Sequence, residues 1–493
     1  MSKYLIGFDL GSSSVKVSAV DVQTGKAVGA ATQPETEMTM LSKQPGWAEQ
    51  EPELWWKHAV AATKQLLAKA GIRKDEVSAI GISYQMHGLV LVDKDRNVLR
   101  PSIIWCDSRA VQIGEKAAHE LGDYASKNLL NSPGNFTASK LKWVKDNEPQ
   151  LFDKIHKFML PGDFLAMKLT GEICTTASGL SEGIFWDFIS NNVSEKLLSL
   201  YGFSKDLIPT IVPTFSVQGK VSKQAAEELG LAEGIPVTYR AGDQPNNAFS
   251  LKALHPGEVA ATAGTSGVIY GVSDQPVADP QSRVNTFLHV SNTAQQPRYG
   301  VLLCVNGTGI MNSWLRKLLG SVSYPLMNKM AEEAPIGSDG LVVLPFGNGA
   351  ERIFQNKNLG ASLHGLDLNR HSSSHISRAV QEGIVYALAY GFSILNQTKV
   401  NPSVIRAGQA NMFLSPVFRD AFVNTIGARL ELFSTDGAQG AAIAAGLGAG
   451  LYQTEAEAFQ GLTVIQSQEP DPAAREKYLS GYKKWSDFLA KAL

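Results

Sequence analysis

The sequence predicts an α/β protein of two similarly built domains, with the active site in the cleft between them. Three observations carry that expectation. The phrase Gly7-Phe8-Asp9-Leu10-Gly11-Ser12-Ser13-Ser14-Val15-Lys16 returns as Ala261-Thr262-Ala263-Gly264-Thr265-Ser266-Gly267-Val268, about 250 residues later, a spacing typical of a duplicated domain. Strand-like and helix-like segments alternate through both halves. No long linker or low-complexity tract intervenes, so the halves are expected to meet along a cleft, where ligands commonly sit.

In the first half, residues 4–8, 15–20 and 26–32 read as consecutive strands, with Thr24-Gly25 as a turn. A helix starts at Glu51-Pro52-Glu53, with proline in its first turn and acids near its positive end. Leu54, Trp55, Ala59, Ala62 and Leu66 give that helix one apolar face, and Gly71 ends it. Trp55 and Trp56 are expected in the core and at its rim. Residues 77–83 form a short buried strand, 89–93 another, and 112–147 a helical middle. The strand at 235–239 runs into Gly242-Asp243-Gln244-Pro245, and the domain boundary is placed just beyond, giving domains 1–250 and 251–493. The second half opens with a strand at 258–263. It closes on Asp436-Gly437-Ala438-Gln439-Gly440-Ala441-Ala442, leading into an Ala/Gly-rich helix. Small residues there allow close approach of a neighbouring helix or of a ligand, and packing alone explains them as well.

A chain of 493 residues allows about two to four domains. Hydrophobic content of 44% and charged content of 18% describe a globular protein able to bury large cores. The net charge of −1 gives no electrostatic reason to expect nucleic acid or an anionic membrane as partner. No apolar run is long enough to span a bilayer, and no signal-peptide core precedes the first strand. Cys106, Cys174 and Cys304 are isolated and odd in number, which supports neither a disulfide framework nor a cysteine zinc site. A cytoplasmic protein is expected.

The chemistry lies in the repeated turn. Glycine beside several hydroxyls exposes backbone N–H and O–H donors, the means by which a turn holds phosphate oxygens. Either turn alone reads as an ordinary hairpin; two matched copies favour phosphate binding. Only the first copy has an acid, Asp9, where the second has Thr262, which suggests a metal-linked step in one lobe. There is no G-x-x-x-x-G-K-[ST], no protein-kinase motif set, and only a poor fit to G-x-G-x-x-G at Gly446-Leu447-Gly448-Ala449-Gly450. Asp243 could be a plain turn or capping residue. Its place past a strand end, beside the domain boundary, raises the functional reading.

Asp9-Leu10-Gly11-Ser12-Ser13-Ser14-Val15-Lys16, Gly242-Asp243-Gln244 and Gly264-Thr265-Ser266 together resemble the FGGY family of carbohydrate kinases, on the actin-like/RNase H-like fold. Pro45-Gly46-Trp47-Ala48-Glu49-Gln50-Glu51-Pro52, Trp105-Cys106-Asp107-Ser108-Arg109 and the signature-like stretch Phe136-Thr137-Ala138-Ser139-Lys140-Leu141-Lys142-Trp143-Val144 are similar to that family as well. A second signature runs from Gly365-Leu366 to His375-Ile376-Ser377-Arg378-Ala379-Val380-Gln381-Glu382, where Gln381 departs from the usual apolar residue. The likeness covers almost the whole chain with its motifs in order.

The resemblance implies a duplicated actin-like ATPase fold, with sugar bound by domain 1–250 and nucleotide by domain 251–493. It implies ATP and Mg²⁺ as cofactors, with Asp9 and Asp243 at the metal. Asp243 would be the general base and Gln244 would fix the attacking hydroxyl. Gly11, Ser12, Ser13, Ser14, Lys16, Gly264, Thr265, Ser266, Gly309, Gly408 and Gln409 would line the nucleotide. Gln85-Met86-His87-Gly88 is similar to the segment in members that phosphorylate D-xylulose, and no Arg-Glu pair of the glycerol-kinase type stands there. A histidine beside a flexible thioether offers a polyol one polar ring and one adaptable wall, and this reading is preferred over that of His87 as a satisfied core residue. Asp107 and Arg109 are further substrate candidates, or a local structural pair. Lys16 could neutralise phosphate or point to solvent. Glu351 and Arg352 could brace the cleft. The adenosine loop is atypical: Arg406-Ala407-Gly408-Gln409-Ala410-Asn411 keeps only Gly408 and Ala410 of the family's small-residue pattern, with Ser415-Pro416 as a following helix start. The expected reaction is ATP-dependent phosphorylation of a ketose, D-xylulose first. The alternatives are a sedoheptulose, ribulose or polyol kinase, or an actin-like ATPase without a sugar. Sugar and ATP are the expected partners, and a second copy of the chain is a further candidate.

Overall fold

The computed structural model describes residues 3–493. The first compact unit comprises residues 3–252, 287–294 and 435–462, and the second 253–286, 295–434 and 463–493. The late segment around the Ala/Gly-rich helix thus packs with the N-terminal sheet.

The sheet of the first unit is built from β1 (Tyr4–Leu10), β2 (Val15–Asp21), β3 (Ala27–Gln33), β4 (Val77–Tyr84), β5 (Phe215–Lys220) and β6 (Pro236–Gly242), in the order β5-β6-β4-β1-β2-β3. β1, β2 and β3 are an antiparallel meander; β4 joins β1 in parallel, β6 joins β4 in parallel, and β5 closes the edge antiparallel. Helix α1 (Pro52–Ala70) begins with proline and ends at Gly71, whose φ of 65° is the left-handed cap glycine accepts readily. It buries Trp55, Trp56, Ala59, Ala62 and Leu66 against β2 and β3. Both tryptophans are buried, and their indole N–H groups are satisfied by Gln50 and Glu228.

On the opposite face, the helix Gly437–Gly448 crosses β1 and β4. A β-carbon at Gly7 or Gly81 would overlap the carbonyl oxygens of Ala438 and Ala441. Close packing on bare strand glycines therefore accounts for the small-residue composition of this helix.

The helical middle is not continuous. Helices Val111–Leu121 and Asp123–Lys127 are separated by Gly122, and Pro133-Gly134 interrupts the chain before α2 (Thr137–Asn147). Proline and left-handed glycine backbone, which cannot continue a helix, decide those breaks. Strand β6 leads without a loop into α3 (Asp243–Ser250).

The second unit repeats the plan. Its strands are β7 (Glu258–Ala263), β8 (Gly267–Ser273), β9 (Asn285–Leu288), β10 (Tyr299–Val305), β11 (Val404–Gly408), β12 (Arg429–Phe433) and β13 (Val464–Gln468), in the order β9-β10-β8-β7-β11-β12-β13. Again an antiparallel run, β10-β8-β7, is extended by two parallel strands and one antiparallel edge strand. Its helices include α4 (Gly309–Leu318), α5 (Ser373–Gln397), α6 (Pro416–Ile426) and α7 (Pro472–Ala492). The central helix α5 buries Val380, Ile384, Val385, Leu388 and Phe392. α6 starts as expected, with Ser415 Oγ accepting the Phe418 N–H.

Buried polar groups in the family-like segments are structural. Arg378 donates to Glu382, to the Ala334 carbonyl and to the Tyr478 hydroxyl, at 2.7, 3.0 and 2.8 Å. The unusual Gln381 accepts the Ser415 hydroxyl at 2.6 Å and donates to Asn328 at 3.1 Å. This departure from the pattern ties the start of α6 to α5.

Candidate active site

In the first unit the chemistry gathers where β1, β4 and β6 end. Asp9 is the penultimate residue of β1, and its Oδ1 accepts the Ser83 hydroxyl from β4 at 2.8 Å. Gly437 lies against the same carboxylate so closely that a β-carbon would overlap Oδ2. Asp436, which caps that helix by accepting the Gln439 N–H at 2.9 Å, also pairs through Oδ2 with Lys16 Nζ at 2.7 Å. Lys16 is therefore not a free solvent lysine: its half-buried ammonium is paired with an acid 420 residues away. Burial, and then Asp436, raise the pKa of Asp9, while Ser83 and Lys16 oppose the rise.

The turn itself is pinned by its carbonyls. The Gly11 N–H donates to Ser14 O at 3.0 Å, the Met38 N–H to Ser13 O at 2.8 Å, and Gln50 Nε2 to Ser12 O at 2.6 Å. In a trans peptide the N–H points opposite the carbonyl. Anchoring the carbonyls of Ser12 and Ser13 on the protein side thus turns the N–H groups of Ser13 and Ser14 outward.

Asp243 opens α3, where the positive end of the helix favours a carboxylate. Hydrogen bonds from Gln244 lower its pKa, but loss of hydration and the nearby charge of Asp9 dominate and push it up to about 7. That value suits a proton acceptor working near neutrality. Gln85 is buried, with Nε2 3.3 Å from Gln50 Oε1. Met86 is buried against Gly242. His87 has φ of 61°, an unusual backbone for a residue with a side chain. Its Nδ1 lies 3.0 Å from the Glu182 carbonyl, and its ring is framed by Phe136 and Phe287 at 4.7 and 5.6 Å. Lys140 holds this loop from beneath. Its Nζ donates to His87 O and Ile104 O at 2.8 and 2.9 Å, and burial lowers its pKa to about 7.

Asp107 and Arg109 stand in a different setting. Asp107 accepts the Ala48 N–H at 2.6 Å and the Arg109 guanidinium through both oxygens. Arg109 also pairs with Glu49 at 2.8 Å and stacks on Trp47 at 3.8 Å. Both side chains are buried in that network.

In the second unit the turn Gly264–Ser266 is pinned in the same sense. The Gly309 N–H donates to Gly264 O at 3.0 Å, and the Ile310 N–H and Thr308 hydroxyl donate to Thr265 O, each at 3.1 Å. A β-carbon at Gly309 would overlap the Gly264 carbonyl, so glycine is required there to brace the turn. Glu351 in turn accepts the N–H groups of Asn306 and Gly307 at 2.9 and 2.7 Å, while Arg352 donates to Ser282 O at 2.8 Å. Gly408 ends β11, Gln409 N–H is held by Phe433 O at 2.9 Å, and Asn411 comes beside Gly264. A short 3₁₀ turn, Asn411–Leu414, precedes Ser415.

Sequence reasoning missed Asp436, Gly437, Lys140 and Glu182. The first two stood in a phrase noticed only for its small residues, and Lys140 in a signature read only as a likeness. Among the described residues no group of three or more His, Cys, Asp or Glu side chains is placed to hold a metal. Asp9 lies near enough to Asp243 for its charge to raise the pKa of the latter, and these two carboxylates are the ones that would face a magnesium ion, which keeps most of its waters. No described helix is long and apolar enough to cross a membrane. A cavity of about 610 Å³ in the second unit, between α5 and α7, has none of the predicted site residues on its wall.

Residues 4–250 match the N-terminal domain, and residues 259–449 the C-terminal domain, of the FGGY family of carbohydrate kinases. The chain belongs to that family. It is 30% identical to xylulose kinase of Escherichia coli (strain K12), with 94% of each chain covered. Its fold matches the crystal structure of xylulose kinase from Rhodospirillum rubrum with a TM-score of 0.87 at 26% identity, over 99% of both chains. It also matches gluconate kinase from Lactobacillus acidophilus with a TM-score of 0.89 at 24% identity, over 100% of this chain and 99% of that one.

Proposed function

We propose that this FGGY carbohydrate kinase transfers the γ-phosphoryl group of ATP to a terminal hydroxyl of an open-chain ketose, with D-xylulose as the preferred acceptor. The observation that carries the reading is Asp243: a carboxyl at a helix N-terminus, with its pKa raised to about 7, following a strand that only β4 separates from the strand of Asp9, and adjoining the Met86-His87 loop. Relatives named xylulose kinase at 30% identity support the choice of sugar, as does the Gln85-Met86-His87-Gly88 segment.

In the reaction the sugar oxygen forms a bond to the γ-phosphorus while the bond to the β,γ-bridging oxygen breaks, and ADP leaves with that electron pair. The hydroxyl proton passes to the Asp243 carboxylate. Gln244 orients the hydroxyl, and Gln85, Met86 and His87 hold the rest of the sugar. In each unit the pinned turn offers outward N–H groups suited to phosphate oxygens, with Lys16 adding charge in the first. Asp9, with Asp243, would hold a magnesium ion, which when bound with the nucleotide would neutralise phosphate charge. Asp107 and Arg109 contribute by fixing the Trp47 and Trp105 loops. The three free cysteines accord with a cytoplasmic setting.

The test is ADP release with Mg-ATP and D-xylulose, D-ribulose, sedoheptulose, D-fructose, gluconate or glycerol. D-xylulose should give the highest kcat/KM. Asp243→Asn should lower kcat by about 10²- to 10⁴-fold with nucleotide affinity retained. Near-normal turnover in that variant would refute the assignment of the base, and another preferred sugar would replace D-xylulose while leaving the mechanism standing.

A further inference from the structure

We infer that Gln50 is a positioning residue of the active site. Its buried amide fixes the Ser12–Ser13 peptide of the phosphate-holding turn and, through Gln85, the start of the sugar-holding segment. The inference rests on the reading of those two segments as parts of the ATP and sugar sites.

Gln50 is buried, and its backbone is set from both sides. It pairs with Ser102 in a short antiparallel ladder, and α1 begins at Pro52. From there Nε2 donates to Ser12 O at 2.6 Å, while Oε1 accepts the Trp55 indole N–H at 3.1 Å and Gln85 Nε2 at 3.3 Å. The partners decide which way round the amide sits. A carbonyl oxygen only accepts and an indole N–H only donates, so Nε2 must face Ser12 and Oε1 must face Trp55. Gln85 then meets an acceptor, which turns its own Nε2 toward Gln50. The Gln85 N–H is held in turn by Leu10 O at 2.7 Å, and Met86 and His87 follow directly.

Each bond has a separate consequence. Ser13 is exposed whereas Gln50 lies inside, so drawing Ser12 O inward presents the Ser13 N–H on the outer side, where a phosphate oxygen can reach it. The next carbonyl, Ser13 O, is tied by the backbone N–H of Met38. The tie on Ser12 O comes from a side chain, so a substitution can release it. Without that donor the Ser12–Ser13 peptide is free to rotate and its N–H leaves the phosphate position. The same substitution frees the Gln85 amide. Methionine, of similar length, has neither the donor nor a strong acceptor, ionised glutamate has only acceptors and lysine only donors, whereas the amide carries both on one head.

The experiment is steady-state kinetics of the full-length protein, varying ATP and the preferred ketose in turn, with Tm measured alongside. It compares wild type, Gln50→Met, Gln85→Met and the double variant. Gln50→Met should raise KM for ATP and KM for the ketose by about tenfold each. Gln85→Met should raise KM for the ketose and leave that for ATP within about threefold of wild type. The double variant should have a ketose KM within about threefold of that of Gln50→Met, because the two residues act through one contact. A Gln50→Met protein with a lower Tm but both KM values within about threefold of wild type would make Gln50 a stabilising residue only, and overturns the inference. A loss confined to one substrate, or ketose losses that multiply in the double variant, also overturns it. If Gln50→Met does not fold, Gln50→Asn decides, since it keeps the amide on a stem one carbon too short to reach Ser12 and Gln85 together. Raised KM for both substrates then supports the inference, and an unchanged KM for either overturns it. A wild-type protein that releases no ADP with any ketose overturns the acceptor-site reading and this inference with it. Ketose-dependent turnover with no response to Gln50 removes the inference alone.

Discussion

The two glycine-hydroxyl turns share a backbone plan and differ in charge. Each joins the first two antiparallel strands of its sheet, and each has carbonyls tied back to the protein, so that N–H groups face outward. The first turn is tied by Gln50 and the Met38 amide, the second by Thr308 and the amides that open α4. Only the first is flanked by ionisable groups, with Asp9 on one strand and Lys16 directly across from it on the next. The corresponding pair in the second hairpin is Thr262 opposite Val268. The two units therefore share the backbone plan of this turn, and under the proposed function the charges that would act on a phosphate stand in the first alone. The strand glycines that receive the Gly437–Gly448 helix, and the Asp436 that steadies Lys16, also belong to that unit.

This contrast can be broken most directly by exchanging the acids. Asp9→Asn should lower kcat by about 10- to 100-fold, and Thr262→Val should change it by less than about threefold. Comparable losses at the two positions would mean that both turns take part in the charged step. A second measurement sharpens the contrast through pH. Because Asp243 titrates at about 7, kcat/KM should fall about tenfold per unit below that pH in the wild type. No such limb should remain in the residual activity of Asp243→Asn.

Stability should respond in the opposite sense. The folded pKa of Asp243 lies above its unfolded value of 3.8, so across that interval the native state holds a proton that the unfolded chain has released. Stability is then lost as pH rises through the interval. Asp243→Asn should accordingly melt higher than the wild type at pH 8, with the difference vanishing near pH 4. The smallest effect is expected in the second unit. Gln381→Leu leaves Ser415 and Asn328 without their partner and should cost about 1–2 kcal/mol of stability, read as a lower Tm, with KM for sugar and ATP unchanged. A change in KM would give this signature residue a part in binding.

How much was legible depended on the distance over which each feature is decided. The hairpins, the helix beginning at Pro52, its left-handed cap at Gly71, and the Ser415 N-cap were all readable, because each is set by neighbours a few residues apart. The helical middle was over-read: its apolar spacing concealed the stops at Gly122 and Pro133-Gly134, although those residues were in plain view.

The duplication, the two turns, and the acids at the end of β1 and the start of α3 can be read along the chain, since repetition and strand-to-turn chemistry are local properties. Folding alone brings Asp436 to Lys16, makes room for Asp9 at Gly437, and sets Glu182 and Lys140 against the His87 loop. Those contacts join residues from 53 to 428 positions apart (Lys140 to His87, and Gly437 to Asp9). What places them is the packing of a late helix on bare strand glycines and the burial of polar groups that must find partners there, and neither leaves a periodic trace in the chain.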